Sequence, residues 1–211
     1  MRVLHGFDAW PAGPLHVAIG VFDGVHRGHQ ELIRRLRVFA HGQKGLAVAS
    51  SFDPLPIQVL APGAPPSALA DAAERSALLT GAGADAVVLF RSDPAFFAMT
   101  AKEFLDRLRG AGDVRGIVVG EDFRFGRDRE GDVALLASLA GDHRIDVEVV
   151  PPVESGGAVI SSTRIRNLLI AGDVKSAAEL LGRPYGVRGR IVHGDKRGRA
   201  LGYPTINVAT P

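Results

Sequence analysis

Five short, Val-rich apolar runs pace the chain, at residues 15–22, 45–52, 85–90, 115–120 and 146–150. Between them the apolar positions fall at helical spacing: Leu32, Ile33, Leu36 and Phe39, then Leu78 and Leu79, then Phe104, Leu105 and Leu108, then Leu135, Leu136 and Leu139. Near-continuous apolar strands need cover on both faces, and alternating amphipathic helices supply it. The pattern therefore predicts an α/β domain built on a parallel sheet with helices on both faces. In such a sheet ligands bind at the carboxyl ends of the strands, so function is sought in the loops that follow the runs. Thr100 with Glu103 reads as a capping box opening the helix that carries Phe104.

A length of 211 residues accommodates one such domain plus a small second module. After residue 182 the helical period stops, and the sequence turns rich in Gly, Arg and turn residues with a strand-like run at 185–192. We place a first domain at 1–182 and a second unit at 183–211. The second unit reads as the incomplete start of a module, since a piece of fewer than about 40 residues rarely folds alone. Its strand would leave an unpaired edge, so it is expected to be disordered or paired with another molecule, which makes self-association through it a candidate. The Pro- and Ala-rich stretch 61–70 reads as a loop inside the first domain.

Cysteine is absent, which removes disulfides, thiolate metal sites and cysteine nucleophiles and favours a cytoplasmic location. No run approaches the roughly 18 apolar residues of a membrane span. The N-terminus, interrupted by His5, Asp8 and Pro11, lacks the unbroken apolar core of a signal peptide. Neither a membrane partner nor export is expected. The pI near 9.3 accompanies a net charge of only +2, because arginine dominates the basic residues. Without a clustered basic face this predicts no nucleic-acid partner, while arginines suit small phosphate-bearing ligands.

The segment "GVFDGVHRGHQ" (20–30) stands where the first run gives way to the first helical segment. His26 and His29 are about one helical turn apart at a helix N-terminus, where unpaired amides attract anions. Gly28 between them leaves a ligand room to approach the backbone. Histidines here also serve as helix caps or loop packing, and a metal reading lacks a third convergent ligand. "ISSTRIR" (160–166) sets Ser161, Ser162 and Thr163 before a helix with Ile165, Leu168 and Leu169 on one side, a second anion site or an ordinary cap. "GEDFRFG" (120–126) follows the fourth run and offers Asp122 with the aromatic faces of Phe123 and Phe125, at least one of which is expected in the core. "GAGADA" (81–86) imitates a dinucleotide fingerprint but leads into a strand, and reads as a helix-ending loop.

"GVFDGVHRGH" resembles the HxGH signature of the nucleotidylyltransferase superfamily. It takes the form found in the bacterial bifunctional riboflavin kinase and FMN adenylyltransferase (FAD synthetase) family. "SFDPLP" (51–56), residues 118–132 and residues 160–185 match the flavin branch in order and spacing. The resemblance implies a Rossmann-like nucleotidylyltransferase domain followed by the incomplete start of a riboflavin kinase β-barrel. The implied reaction is adenylyl transfer from ATP to FMN with Mg2+, giving FAD and pyrophosphate. It carries over catalytic roles to His26, His29 and Arg166, and ATP contacts to Gly20, Phe22, Asp23, Gly24, Gly28, Ser162 and Thr163. Flavin or nucleotide contacts fall to Phe52, Pro54, Pro56, Asp122, Phe123 and Phe125.

Leu55 stands where the family has a histidine, so altered flavin contacts are expected there. "PTIN" (204–207) resembles the kinase element that helps hold Mg-ATP, through Thr205 and Asn207, with Ile206 where alanine is usual; the family's catalytic glutamate is not among these residues. Kinase activity is expected only of a longer bifunctional protein. Two other readings stay open: an HxGH nucleotidylyltransferase for phosphopantetheine or glycerol 3-phosphate, and a flavin- or nucleotide-binding protein with little catalysis. No metal ligand is assigned.

Overall fold

The computed structural model of the chain describes residues 3–8, 10–61, 67–194, 197–203 and 205–209. Six strands, β1 (Val3–His5), β2 (Pro14–Ile19), β3 (Leu46–Phe52), β4 (Ala86–Phe90), β5 (Asp113–Gly120) and β6 (Asp146–Val150), form one sheet. Its order is β1-β4-β3-β2-β5-β6, with every neighbouring pair parallel. The five strands the apolar runs predict are all present. β1 adds a sixth at the edge, and its three residues are too few to show a period.

The helices are α1 (Arg27–Gly42), α2 (Pro56–Leu60), α3 (Ala72–Gly81), α4 (Pro94–Phe97), α5 (Ala101–Ala111), α6 (Val133–Gly141), α7 (Ser162–Ile170), α8 (Val174–Leu181) and α9 (Arg197–Ala200). Alternation along β2 decides the two faces. Val17 and Ile19 join Phe104, Leu105 and Leu108 of α5 and Leu136 of α6 in one buried cluster. Ala18 joins Ile33 and Leu36 of α1 and Leu79 of α3 in the other. A third cluster, Leu69, Ile160, Ile165, Ala177, Leu180 and Leu181, fastens α7 and α8 over the carboxyl end of the sheet. The capping box at α5 is present: Glu103 N–H donates to Thr100 Oγ1 (3.2 Å), and Thr100 N–H donates to Glu103 Oε2 (2.8 Å).

Parallel crossovers run from β2 to β3 on one side and return from β4 to β5 on the other, so the chain changes direction between β3, β2 and β5. At that switch the loops after neighbouring strands diverge and leave a crevice at the carboxyl ends.

Two short antiparallel pairs complete the chain: β7 (Glu154–Ser155) with β8 (Ala158–Val159), and β9 (Arg190–Val192) with β10 (Asn207–Ala209). The second pair bears on one expectation. Arg190–Val192 are not unpaired along both edges, because β10 of the same chain supplies a hydrogen-bonding partner on one side, while among the described residues the other edge of this two-stranded ladder stays open. "GAGADA" is the turn between α3 and β4, as expected. Residues 62–66 of the Pro-rich loop lie outside the described residues, as does Pro204 of the "PTIN" element.

Candidate active site at the switch point of the sheet

β2 ends at Ile19, and the chain enters α1 through Gly20, Val21, Phe22 and a 3-10 turn at Asp23–Val25. That connection is unusual backbone: φ is 52° at Phe22, 75° at Gly24 and 40° at Val25. Two non-glycine residues in this region cost about 1–3 kcal/mol each unless the surroundings over-determine them. At Gly24 a side chain is also excluded by space, since a Cβ would lie 2.8 Å from Leu69.

His26 follows the turn as the N-cap of α1, its Nδ1 accepting from the backbone N–H of His29 at 3.4 Å. Of the two roles open for His26 in the sequence, the fold shows the capping one. Accepting at Nδ1 assigns the proton of the neutral imidazole to Nε2. The His29 ring stacks on it, centroids 3.6 Å apart and planes within 19°, and meets the ring of Phe22 edge-on at 5.2 Å. Burial lowers the His26 pKa to about 4. His29 is also held well below its ordinary range, by burial first and by neighbouring His26 second. Both are therefore neutral near pH 7, able to donate one N–H each but not to act as cations. The Nδ1 of His29 is buried and has no partner. A Cβ at Gly28 would lie 3.2 Å from the His26 ring, so the glycine also makes room for that ring.

A cavity of about 400 Å³ opens beside this turn, between the ends of β2, β3 and β5. Gly20, Phe22, His29, Phe52, Pro56, Asp122, Phe123 and Phe125 of the sequence-predicted set all line it. Seven of the chain's ten phenylalanines do so, the others being Phe96, Phe97 and Phe104. Phe123 and Phe125 stack at 5.3 Å, and Phe125 is 8% exposed in the core cluster, the inward member of the pair that the sequence anticipates. Walls of this kind suit a flat aromatic ligand. Arg124 and Arg129 bring cationic side chains to the same cavity.

Other expected residues sit elsewhere. Pro54 is exposed and is not part of the lining. Leu55, where altered flavin contacts were expected, is 2% exposed and also outside the lining; its N–H donates to Gln58 Oε1 at 2.8 Å at the start of α2. Its side chain belongs to the interior. Thr205 and Asn207 are exposed, Asn207 opening β10 opposite Val192.

The "ISSTRIR" residues serve the turn directly. Ser161 is the N-cap of α7, while Ser162 and Thr163 lie in its first turn instead of before it. Ser162 Oγ donates to the carbonyl of Asp23 at 2.9 Å. Arg166 donates from Nη2 to Asp23 Oδ2 (2.8 Å) and from Nε to the carbonyl of Ser67 (3.0 Å). Asp23, 1% exposed, also accepts the backbone N–H groups of Leu69 (2.9 Å) and Ala70 (3.3 Å). A buried carboxylate thus ties β2, the 67–70 loop and α7 together.

Sequence reasoning missed several cavity residues and one buried arginine that holds the carbonyl of Phe52. Arg75 is fully buried, its guanidinium donating to the carbonyls of Ala70 and Phe52, with Nε unpartnered. The available signal was its position four residues before Leu79, on the inward face of α3. Arg124 lies between the aromatics of "DFRFGRDR" and Arg129 closes the stretch, which was read for Asp122 and the aromatics. Phe96, Phe97 and Met99 come from the β4–α5 connection and carry no local sign of the site.

A parallel α/β sheet with an anion-attracting helix start and an aromatic cavity at its switch point defines a nucleotide-binding enzyme of the nucleotidylyltransferase-like class. The family model described as FAD synthetase matches residues 11–164, and that described as riboflavin kinase matches residues 181–211. The chain belongs to the FAD synthetase family. The bifunctional riboflavin kinase/FMN adenylyltransferase of Escherichia coli K12 is 36% identical over 209 residues, 99% of this chain and 67% of that protein. The protein of the same description from Pseudomonas fluorescens is 40% identical over 191 residues, 90% of this chain and 61% of its own length. A crystal structure described as a macrolide-efflux protein from Streptococcus pneumoniae superposes on the whole chain with a TM-score of 0.88 at 34% identity, over 69% of its own chain. Among the described residues, no helix here is long and apolar enough to cross a membrane.

Proposed function

We propose that this chain transfers the adenylyl group of ATP to the phosphate of FMN, releasing pyrophosphate. One observation carries the reading: a cavity walled by seven phenylalanines reaches His29, in the first turn of α1. The isoalloxazine ring takes the aromatic part, with Phe52, Phe123 and Phe125 against it and Arg124 and Arg129 toward its phosphate. The triphosphate takes the helix N-terminus, where backbone amides and the dipole favour negative charge.

An oxygen of the FMN phosphate attacks the α-phosphorus of ATP. The bond from that phosphorus to the bridging oxygen breaks, and its electron pair leaves with pyrophosphate. His26 and His29, neutral by burial, donate N–H groups to the oxygens on which charge accumulates. Arg166 keeps Nη1 for a phosphate oxygen while Nε and Nη2 hold Ser67 and Asp23. Thr163, exposed in the first turn of α7, faces the same work. Among the described residues no group of three or more His, Asp or Glu stands ready to hold a metal, and Asp23 is committed to Arg166 and two amides. Mg2+ would be supplied with ATP and would neutralise part of the phosphate charge; no protein ligand is assigned to it.

Thr205 and Asn207 belong in this reading to a riboflavin kinase site, supported by the family match over residues 181–211. Self-association through the same segment is supported by its exposed apolar side chains, Ile191 (71%), Leu201 (74%) and Tyr203 (79%). A cytoplasmic location accords with the lack of cysteine. The test of substrate is competition among acceptors: product formation from ATP with FMN, 4′-phosphopantetheine or glycerol 3-phosphate. Adenylylation of FMN alone is expected, and preferential adenylylation of either other acceptor would overturn the assignment.

A further inference from the structure

The turn Asp23–Val25 has three consecutive carbonyls that no regular secondary structure satisfies, and buried carbonyls need partners. Their donors come from outside the turn. Asp23 O accepts from Ser162 Oγ, and Gly24 O from Arg183 Nη2 at 2.9 Å. Val25 O accepts from Gln30 Nε2 at 2.8 Å and lies 3.5 Å from Arg183 Nη1. The same Gln30 amide donates to Leu181 O at 2.8 Å. Two of the three carbonyls are thus held by the stretch 181–183, directly or through Gln30. Gly182 sits with φ at 71°, and a Cβ there would lie 3.3 Å from Arg27 and Gln30, so the backbone passes close against α1. Tyr185 packs on the cluster formed by α7 and α8.

This stretch lies beyond the residues that match the FAD synthetase model and inside those that match the riboflavin kinase model. We infer that Arg183 is a positioning residue of the adenylyl-transfer site, and that the junction between the two matched regions is a working part of that site. The inference rests on the proposed adenylyl transfer, and it moves the boundary set at 182 by composition. Arg183 spans the carbonyls of Gly24 and Val25, the residues immediately before His26. A guanidinium can do so because its donors form a rigid fork, whereas an ammonium is a single point. When the fork is lost, the turn with φ of 75° and 40° at these residues relaxes, and the His26 ring and the His29 ring stacked on it move with it. Any displacement of the chain after Tyr185 reaches the site by the same route.

The test uses the full chain with Arg183→Ala, Arg183→Lys and Arg188→Ala, assayed well below each variant's melting temperature. Arg188 is an exposed arginine of the same segment and serves as the control. Arg183→Ala should lower kcat for FAD formation about tenfold with KM for FMN within about twofold, the pattern of misplaced catalytic groups and not of lost binding. Arg183→Lys should recover part of the loss, and Arg188→Ala should match the parent. The His26 and His29 ring resonances should shift in Arg183→Ala and stay in place in Arg188→Ala. Unchanged rings with kcat within about twofold of the parent in Arg183→Ala would overturn the inference. If Arg183→Ala does not fold, the Arg183→Lys rings and kcat decide in the same way. A parent chain that makes no FAD defeats the functional reading instead, while the ring resonances still judge Arg183.

Discussion

At the N-terminus of α7, Ser161 accepts from Arg164 N–H, Ser162 reaches Asp23, Arg164 donates to the carbonyls of Ser155 and Ala158, and Arg166 pairs with Asp23. At the N-terminus of α1, by contrast, the His29 ring lines the cavity with its buried Nδ1 unpartnered. Both stretches read as anion sites in the sequence. Folded, α7 spends most of its polar groups on holding the turn of α1, while α1 brings the unpartnered His29 Nδ1 to the cavity side. A polar motif at a helix start is therefore assigned by what its side chains already hold.

The two ends should respond differently to mutation. Arg166→Ala leaves Asp23 charged, 1% exposed and without its ion-pair partner, which should cost about 3–5 kcal/mol of stability. Urea denaturation measures it, and a loss below 1 kcal/mol would show that the pair holds little. His29→Ala should lower kcat about 10²- to 10³-fold, the scale of losing one preorganised donor, with little change in far-UV circular dichroism. Near-normal turnover would remove α1 from the chemistry.

Of the two helix starts, that of α1 carries the buried histidines and with them a pH dependence. His26 titrates near 4 when folded and near 6.5 when free, so its folded state resists protonation. Its contribution to stability is complete above pH 6.5 and is lost as pH falls toward 4. Between pH 7 and 5 that is about 2 kcal/mol, and a His26→Gln chain should lose correspondingly less over the same interval. Equal slopes in the two chains would contradict the burial of His26. The smallest effect is expected of Arg164→Ala, whose half-exposed guanidinium holds backbone carbonyls away from the cavity: about 1 kcal/mol of stability, with kcat within about twofold.

Much of the fold was legible because its signals are local. Val17, Val48, Val88 and Val119 lie in continuous apolar runs, and Leu32, Ile33 and Leu36 repeat at helical spacing. The histidine pair and Phe123 with Phe125 were legible for the same reason, each being one short stretch after a strand. Phe96, Phe97 and Met99 were not, since only the return of the chain from β4 to α5 brings them to the cavity. Arg75 and Arg183 were not, since a buried or bridging arginine is written like an exposed one until its acceptors are seen. Leu55, noticed in the sequence as a difference from the family pattern, is buried in the fold, which only the packing could show.

The most direct test of the central claim, that the aromatic cavity and the α1 N-terminus together carry out adenylyl transfer, is to incubate the 211-residue chain with FMN, ATP and Mg2+ and to quantify FAD and pyrophosphate by chromatography. The account predicts the two products in equal amounts. A folded chain that binds ATP and FMN and yet releases neither product would contradict it.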